Sequence, residues 1–384
     1  MKDLKAMFEL LRFSLEKTPL SDVVKSLTEE ELQNLYVLTK RHDLAHLIGD
    51  ALDKNGLLPE DSEIKKRFFN ERNMAVYRYE QLQYELDCIK EIFEQEQIAF
   101  MPLKGSVIRL FYPEPWMRTS CDIDILVHEE DLQKSIAILK EKRNYICEMI
   151  GEYDAQLYSE GGVHIELHYQ LVDSESKISE SKILKQIWEY EKNSKQYYRK
   201  MSDEMFYCYH ISHIAKHLKF GGCGIRSLMD IWILNHKIAH DKSEREALLQ
   251  KAELLTLAKA LENLSEVWFS GKEADALSEE LAQYVLKGGV YGSLGNKIAA
   301  QQSRKKNKFV YILSRVFLPY GQLKYTYPKL QKYPILYPFY VVKRWFKLFE
   351  KESKQKAVKE LHETTGGDKE KHERIRKLLQ DLDI

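Results

Sequence analysis

The run Asp122-Ile123-Asp124-Ile125-Leu126-Val127 limits the fold of this chain more than any other stretch. It is an apolar segment with two acids at i and i+2. In a strand, successive side chains point to opposite faces, so both carboxylates share one face and the isoleucines the other. Two like charges on one face of a largely buried strand repel, and a positive group is needed between them. A divalent cation is the natural candidate. The alternative is an edge strand with solvated acids.

The residues just before this run fit phosphate chemistry. Ile98 to Leu103 reads as a short strand, and Gly105 to Tyr112 as a helix that opens on Gly105 and Ser106. Pro113-Glu114-Pro115 ends it. Glycine lets a phosphate approach the backbone, and a helix N-terminus presents N–H groups and a positive dipole end. Lys104 and Arg118 place positive charge on either side, and arginine can grip a phosphate through two parallel hydrogen bonds. The plainer reading is an ordinary helix start with two solvated cations.

A third element follows at His164-Ile165-Glu166-Leu167-His168. Alternation places His164, Glu166 and His168 on one face. Glu166 is then a candidate third metal ligand or general base, with His168 orienting it or meeting phosphate. An exposed polar sheet face is the alternative.

Around these elements the chain reads as α+β. Residues 1–97 are helical, with a start at Thr28-Glu29-Glu30 and a long helix from Ser62 to Gln95 that no proline or glycine interrupts. Residues 98–178 change period. Cys121 to His128, Tyr145 to Ile150, Asp154 to Ser159 and Val163 to Leu171 read as strands, with a charged helix from Glu129 to Lys142. They form a small mixed sheet. From Ser179 onward helices return, including Met201 to Lys219 and Gly224 to His240. Residues 179–290 make a helical domain, whose glycines at 288–295 read as a flexible linker. Residues 291–384 form a basic, aromatic segment and a charged helical tail.

Composition narrows the setting. Five cysteines with no C-x-x-C pair argue against a disulfide framework or a cysteine zinc site, and for a reducing cytoplasm. The first 17 residues form an amphipathic helix rather than a signal peptide, and no run of 18 apolar residues exists. A net charge of zero hides a split. From Leu281 to Phe349 there are 13 Lys or Arg, no Asp or Glu, and 15 aromatic residues. Residues 1–280 sum to −13. The basic segment has three open readings: it packs on the acidic body, it contacts an anionic membrane peripherally through 301–349, or it binds nucleic acid.

Together, Leu103-Lys104-Gly105, Tyr112-Pro113, Arg118, Asp122-Ile123-Asp124-Ile125-Leu126-Val127 and Glu166-Leu167-His168-Tyr169 resemble the bacterial uncharacterised nucleotidyltransferase family. That family lies within the DNA polymerase beta-type superfamily. The resemblance covers about residues 30 to 240. It implies that Asp122, Asp124 and Glu166 are the catalytic metal-binding carboxylates, and that Gly105-Ser106 is the phosphate-binding turn. Fifteen residues separate Ser106 from Asp122, more than the superfamily's usual gap, which puts Arg118 on an inserted loop over the nucleotide. The likeness extends to His213-x3-His217 and Arg226-x3-Asp230, each on one helical face. These are candidate substrate-binding residues. The alternative is structural: hydrogen-bonded histidines and an intrahelical Arg226–Asp230 pair.

The expectation is therefore a cytoplasmic nucleotidyltransferase that uses Mg2+, or Mn2+ instead, and an NTP, with ATP as first choice. The acceptor stays open: sugar, peptide and small molecule rank ahead of RNA. A non-catalytic nucleotide- or partner-binding module is the other class.

Overall fold

The structure is a computed structural model. It describes residues 2–172, 177–290, 292, 294–303, 317–318, 320–327, 329–348 and 369–384. Part of the 301–349 membrane reading, residues 304–316 among it, lies outside the described residues, as does most of the tail before 369.

The N-terminal helices start where local chemistry starts them. Thr28 caps the helix Glu29–Arg41: its hydroxyl accepts from the Glu31 N–H, and the Glu31 carboxylate accepts from the Thr28 N–H. Ser62 caps the 33-residue helix Glu63–Gln95. This helix serves two cores. Ile64 and Phe68 pack with the other N-terminal helices, while Leu86, Ile89 and Phe93 pack beneath the sheet.

Seven strands form one mixed sheet: β1 (Phe100–Pro102), β2 (Asp122–Val127), β3 (Ile146–Ile150), β4 (Asp154–Tyr158), β5 (His164–His168), β6 (Glu191–Lys195) and β7 (Tyr198–Met201). Their order is β3-β4-β5-β2-β1-β7-β6. The pairs β2–β5 and β1–β7 are parallel, and the others antiparallel. Ile123, Ile125, Ile165 and Leu167 face the long helix and the helix Leu132–Arg143. Each such side chain, fully buried, contributes about 1.5–3 kcal/mol. The chain is thus α+β, as its alternating periods imply.

β6 and β7 correct the reading of helices from Ser179 onward. The sequence Glu191-Lys192-Asn193-Ser194-Lys195 has no apolar alternation to mark a strand, because β6 sits at the sheet edge, where only one side needs backbone partners. The Gly105–Tyr112 helix is also shorter than expected: one α-turn, Gly105–Ile108, passes into a 3₁₀ turn, Arg109–Phe111.

Helices from both ends of the chain share the larger core. Leu10 and Leu47 pack in it together with Ile211, Trp232 and Leu261, and the C-terminal helix Lys369–Asp381 adds Leu378. The glycines at 288–292 are not a free linker here. Gly292 crosses Gly221, both at positive φ (79° and 117°), and a Cβ on Gly292 would lie 2.6 Å from the Gly221 carbonyl. Two backbones that close leave no room for a side chain. Gly292→Ala is expected to cost about 1–3 kcal/mol, read from a lowered urea midpoint at unchanged m-value.

Candidate functional site

Strand register assembles the site. In the parallel β2–β5 pair, Asp122 lies opposite His164, and Asp124 opposite Glu166. On β5's other side, β4 sets Asp154 opposite His168 and Gln156 opposite Glu166. Residues directly opposite share a face, so these polar side chains gather on one surface of the sheet. The helix Asp203–Lys219 crosses above it. Between them lies a cavity of about 560 Å³, lined by Asp122, Asp124 and Glu166 on the floor and by His213, Lys216 and His217 on the opposite wall.

Asp124 is buried and already compensated. The Lys104 ammonium donates to its Oδ1 at 2.7 Å, and His168 Nε2 meets the same oxygen at 2.8 Å. Glu166 is close to both, 4.0 Å from Lys104 and 3.3 Å from His168. Burial works against ionising Asp124, but the Lys104 charge and the His168 hydrogen bond outweigh it and hold its pKa below the usual carboxylate range. Burial likewise opposes the Lys104 ammonium, and Asp124 overrides it and keeps the group protonated. Lys104 sits at φ 44°, ψ −121°, a backbone region that disfavours side chains. That geometry costs about 1–3 kcal/mol and persists where surrounding contacts enforce it, a pattern typical of functional sites.

Asp122 differs. Burial, then the charges of Asp124 and Glu166, push its pKa up, because no protein cation offsets it fully. Beside it, His164 Nε2 is buried with no hydrogen-bond partner among the described residues. Asp122, His164 and Glu166 each bring a ligand atom within 4.8 Å of the others, and so do Asp124, Glu166 and His168. Two carboxylates, one of them only partly compensated, fit a hard divalent cation, and the orphaned imidazole nitrogen at their edge is a donor suited to borderline transition-metal ions.

The remaining candidate residues take varied positions. Gly105 lines the cavity, whereas Ser106 is buried and is not among the lining residues. A Cβ on Gly105 would lie 3.1–3.2 Å from Ser120 and Arg118, so close packing of these side chains is itself a reason for glycine there. Arg118 lines the cavity with its side chain committed. Nε and Nη2 donate to the buried Asp230 at 3.1 and 2.8 Å, and Nη1 donates to the Thr119 carbonyl at 2.7 Å. Tyr112 adds a hydrogen bond to Asp230 at 2.7 Å. The intrahelical Arg226–Asp230 pair does not form. Arg226 turns instead to Asp43, at 3.0 Å, and to the Thr119 hydroxyl, at 2.9 Å. Asp230 is held by Arg118, through both Nε and Nη2.

His213 and His217 contact each other, Nε2 to Nε2 at 2.9 Å. Burial lowers both pKa values, that of His217 to about 4, so the pair is neutral at physiological pH: one nitrogen donates and the other accepts. His210, on the same helix, is also lowered to about 4 by burial. Three residues escaped the sequence reading. Asp154 lines the cleft as a further carboxylate, its pKa raised by burial. Lys216 lies over the Tyr153 ring at 4.5 Å. The alternation Asp154-Ala155-Gln156-Leu157-Tyr158 was a usable signal for the first; nothing local marks the other two.

No curated protein and no solved structure matches the chain. A family model described as "Uncharacterised nucleotidyltransferase" matches residues 28–267, which takes in the sheet, the carboxylate floor and the histidine wall. With well over half its length matched and the carboxylates gathered on one sheet face, the chain belongs to the uncharacterised nucleotidyltransferase family.

Proposed function

We propose that this protein moves a nucleoside monophosphate from an NTP, with ATP as first choice, onto a hydroxyl or phosphate of a sugar, peptide or small molecule. The observation that carries this reading is the register of β2 and β5, which sets Asp124 beside Glu166 and Asp122 one pleat away at the floor of a cleft. The cavity, about 560 Å³, falls in the range of small-molecule sites.

Asp122, Asp124 and Glu166 would hold Mg2+, or Mn2+, with His164 at the edge of the donor set. A divalent cation bound there supplies charge neutralisation for the triphosphate and makes the attacking oxygen more acidic. The chain's own residues do the rest. Gly105 and Lys104 border the phosphates, and Lys216 and His217 face them from the opposite wall. The acceptor oxygen attacks the α-phosphorus in line, the bond to the β-phosphate oxygen breaks, and pyrophosphate leaves. The acceptor's proton passes to Glu166 or Asp124, of which Glu166 is the more accessible. A reducing, cytoplasmic setting belongs to the same proposal and is supported by five free thiols. No helix of the described residues is long and apolar enough to cross a membrane.

One observation favours a second reading, a nucleotide-binding module without turnover: Lys104 already neutralises Asp124. The two are separated by incubating the protein with Mg2+, α-labelled ATP and a small-molecule extract. Transfer predicts label in a new covalent product together with pyrophosphate. Saturable ATP binding with all label left in ATP favours the second reading and overturns the first.

A further inference from the structure

The C-terminal part of the basic segment builds a unit of its own. Short helices Tyr320–Thr326 and Lys329–Lys332 and the longer helix Tyr337–Leu348 share a small core of Leu323, Tyr327, Leu330, Tyr340 and Val341. At 3.6 residues per turn, Tyr340 and Val341 occupy one side of the long helix, and Phe339, Val342 and Phe346 the opposite side. The inner side is satisfied by that core. The outer side is not: Phe339 is 61% exposed and Phe346 69%, and Ile335 in the preceding turn is 88% exposed. A surface helix ordinarily carries one apolar stripe, and this one carries two. A clustered set of large apolar side chains left in water marks an interaction surface.

Charge selects the partner. Residues 281–349 contain 13 Lys or Arg and no Asp or Glu, while residues 1–280 sum to −13. Lys332 and Lys343 are exposed on the same unit as the apolar face. An anionic surface is therefore drawn to this end of the molecule and repelled by the remainder. Aliphatic Ile335 and Val342 offer no stacking plane to a nucleobase but do enter the headgroup–acyl boundary readily. We propose that the outward face of helix Tyr337–Leu348, with Ile335, docks on the surface of an anionic lipid bilayer. The helix lies in the interface plane, its phenylalanines inserted and Lys343 at the level of the lipid phosphates. Each lysine near such a surface strengthens binding about fivefold at moderate salt. This surface is separate from the carboxylate cleft, and the inference does not depend on the nucleotidyl-transfer reading.

The test is co-sedimentation of the full chain with vesicles of phosphatidylcholine, alone or mixed with phosphatidylglycerol. Binding to the mixed vesicles is expected, at least about tenfold weaker on phosphatidylcholine alone and weakened by added salt. The double variant Phe339→Ser/Phe346→Ser is expected to lose at least about tenfold in binding while keeping the parent's thermal unfolding and ATP affinity. Should that variant not fold, Lys332→Glu/Lys343→Glu serves instead, with the same loss expected. Failure of the parent to sediment with mixed vesicles overturns the proposal, as does equal sedimentation of parent and folded variants. It is equally overturned by single-stranded RNA binding with a steep salt slope in the absence of vesicle binding, or by a parent dimer that the serine variant dissolves and vesicles do not.

Discussion

Asp122→Asn is expected to abolish nucleotidyl transfer while stabilising the metal-free fold. Asp122 is the floor carboxylate with the least compensation: Lys104 and His168 are spent on Asp124. Asparagine keeps the shape and removes the charge that would hold a cation. A loss of about a thousandfold in turnover, or about 4 kcal/mol of transition-state stabilisation, is the expected scale. Stability should move the other way. Folding raises the Asp122 pKa through burial and the neighbouring charges of Asp124 and Glu166. Its contribution to stability is therefore fully present below the ordinary value of 3.8 and is lost as pH rises through the raised value. In EDTA, the variant should unfold at a higher temperature than the parent near neutral pH, and the gap should close in acid. Mn2+ should raise the parent's unfolding temperature and leave the variant's unchanged. A parent that Mn2+ does not stabilise would remove the metal assignment without any appeal to activity.

Asp230→Ala is expected to be strongly destabilising, by about 3–5 kcal/mol, although Asp230 itself does not line the cleft. The carboxylate is 1% exposed and accepts from two donor groups of Arg118, Nε and Nη2, and from the Tyr112 hydroxyl. Alanine strands a buried guanidinium and a buried phenol together. Arg118→Met/Asp230→Leu removes both charges and should recover most of the loss, since a buried pair often breaks even against apolar residues of similar volume. Urea unfolding of the two single variants and the double one closes the cycle. The double variant also decides what Arg118 does. If it folds and still binds ATP with parental affinity, Arg118 anchors the loop to the helix. If it folds and ATP affinity falls, the guanidinium reaches the nucleotide as well.

Much of the site was legible because the strand period is local. Alternation alone placed Asp122 with Asp124, and His164 with Glu166 and His168, since each set depends only on successive residues in one segment. Helix starts at Thr28 and Ser62 were legible for the same reason: the capping residue bonds within its own first turn. β6 was not, because a polar edge strand carries no apolar alternation. The glycines at 288–292 were misread because a glycine's sequence neighbours do not show whether it is free or pressed against another backbone.

The sequence by itself determined the faces: which side chains stand together on each strand, and that two aspartates must meet a positive group. Only the tertiary structure decided what that group is in the folded chain. Lys104, 20 residues before Asp124, reaches its Oδ1 through the pairing of β1 with β2, and His168, 44 after it, reaches the same oxygen through the pairing of β2 with β5. The same holds for Arg118, which lines the cavity while its guanidinium bonds to Asp230, 112 residues away. Such pairings depend on loop closure and on competition among all available partners, and neither is written in the spacing of any one motif.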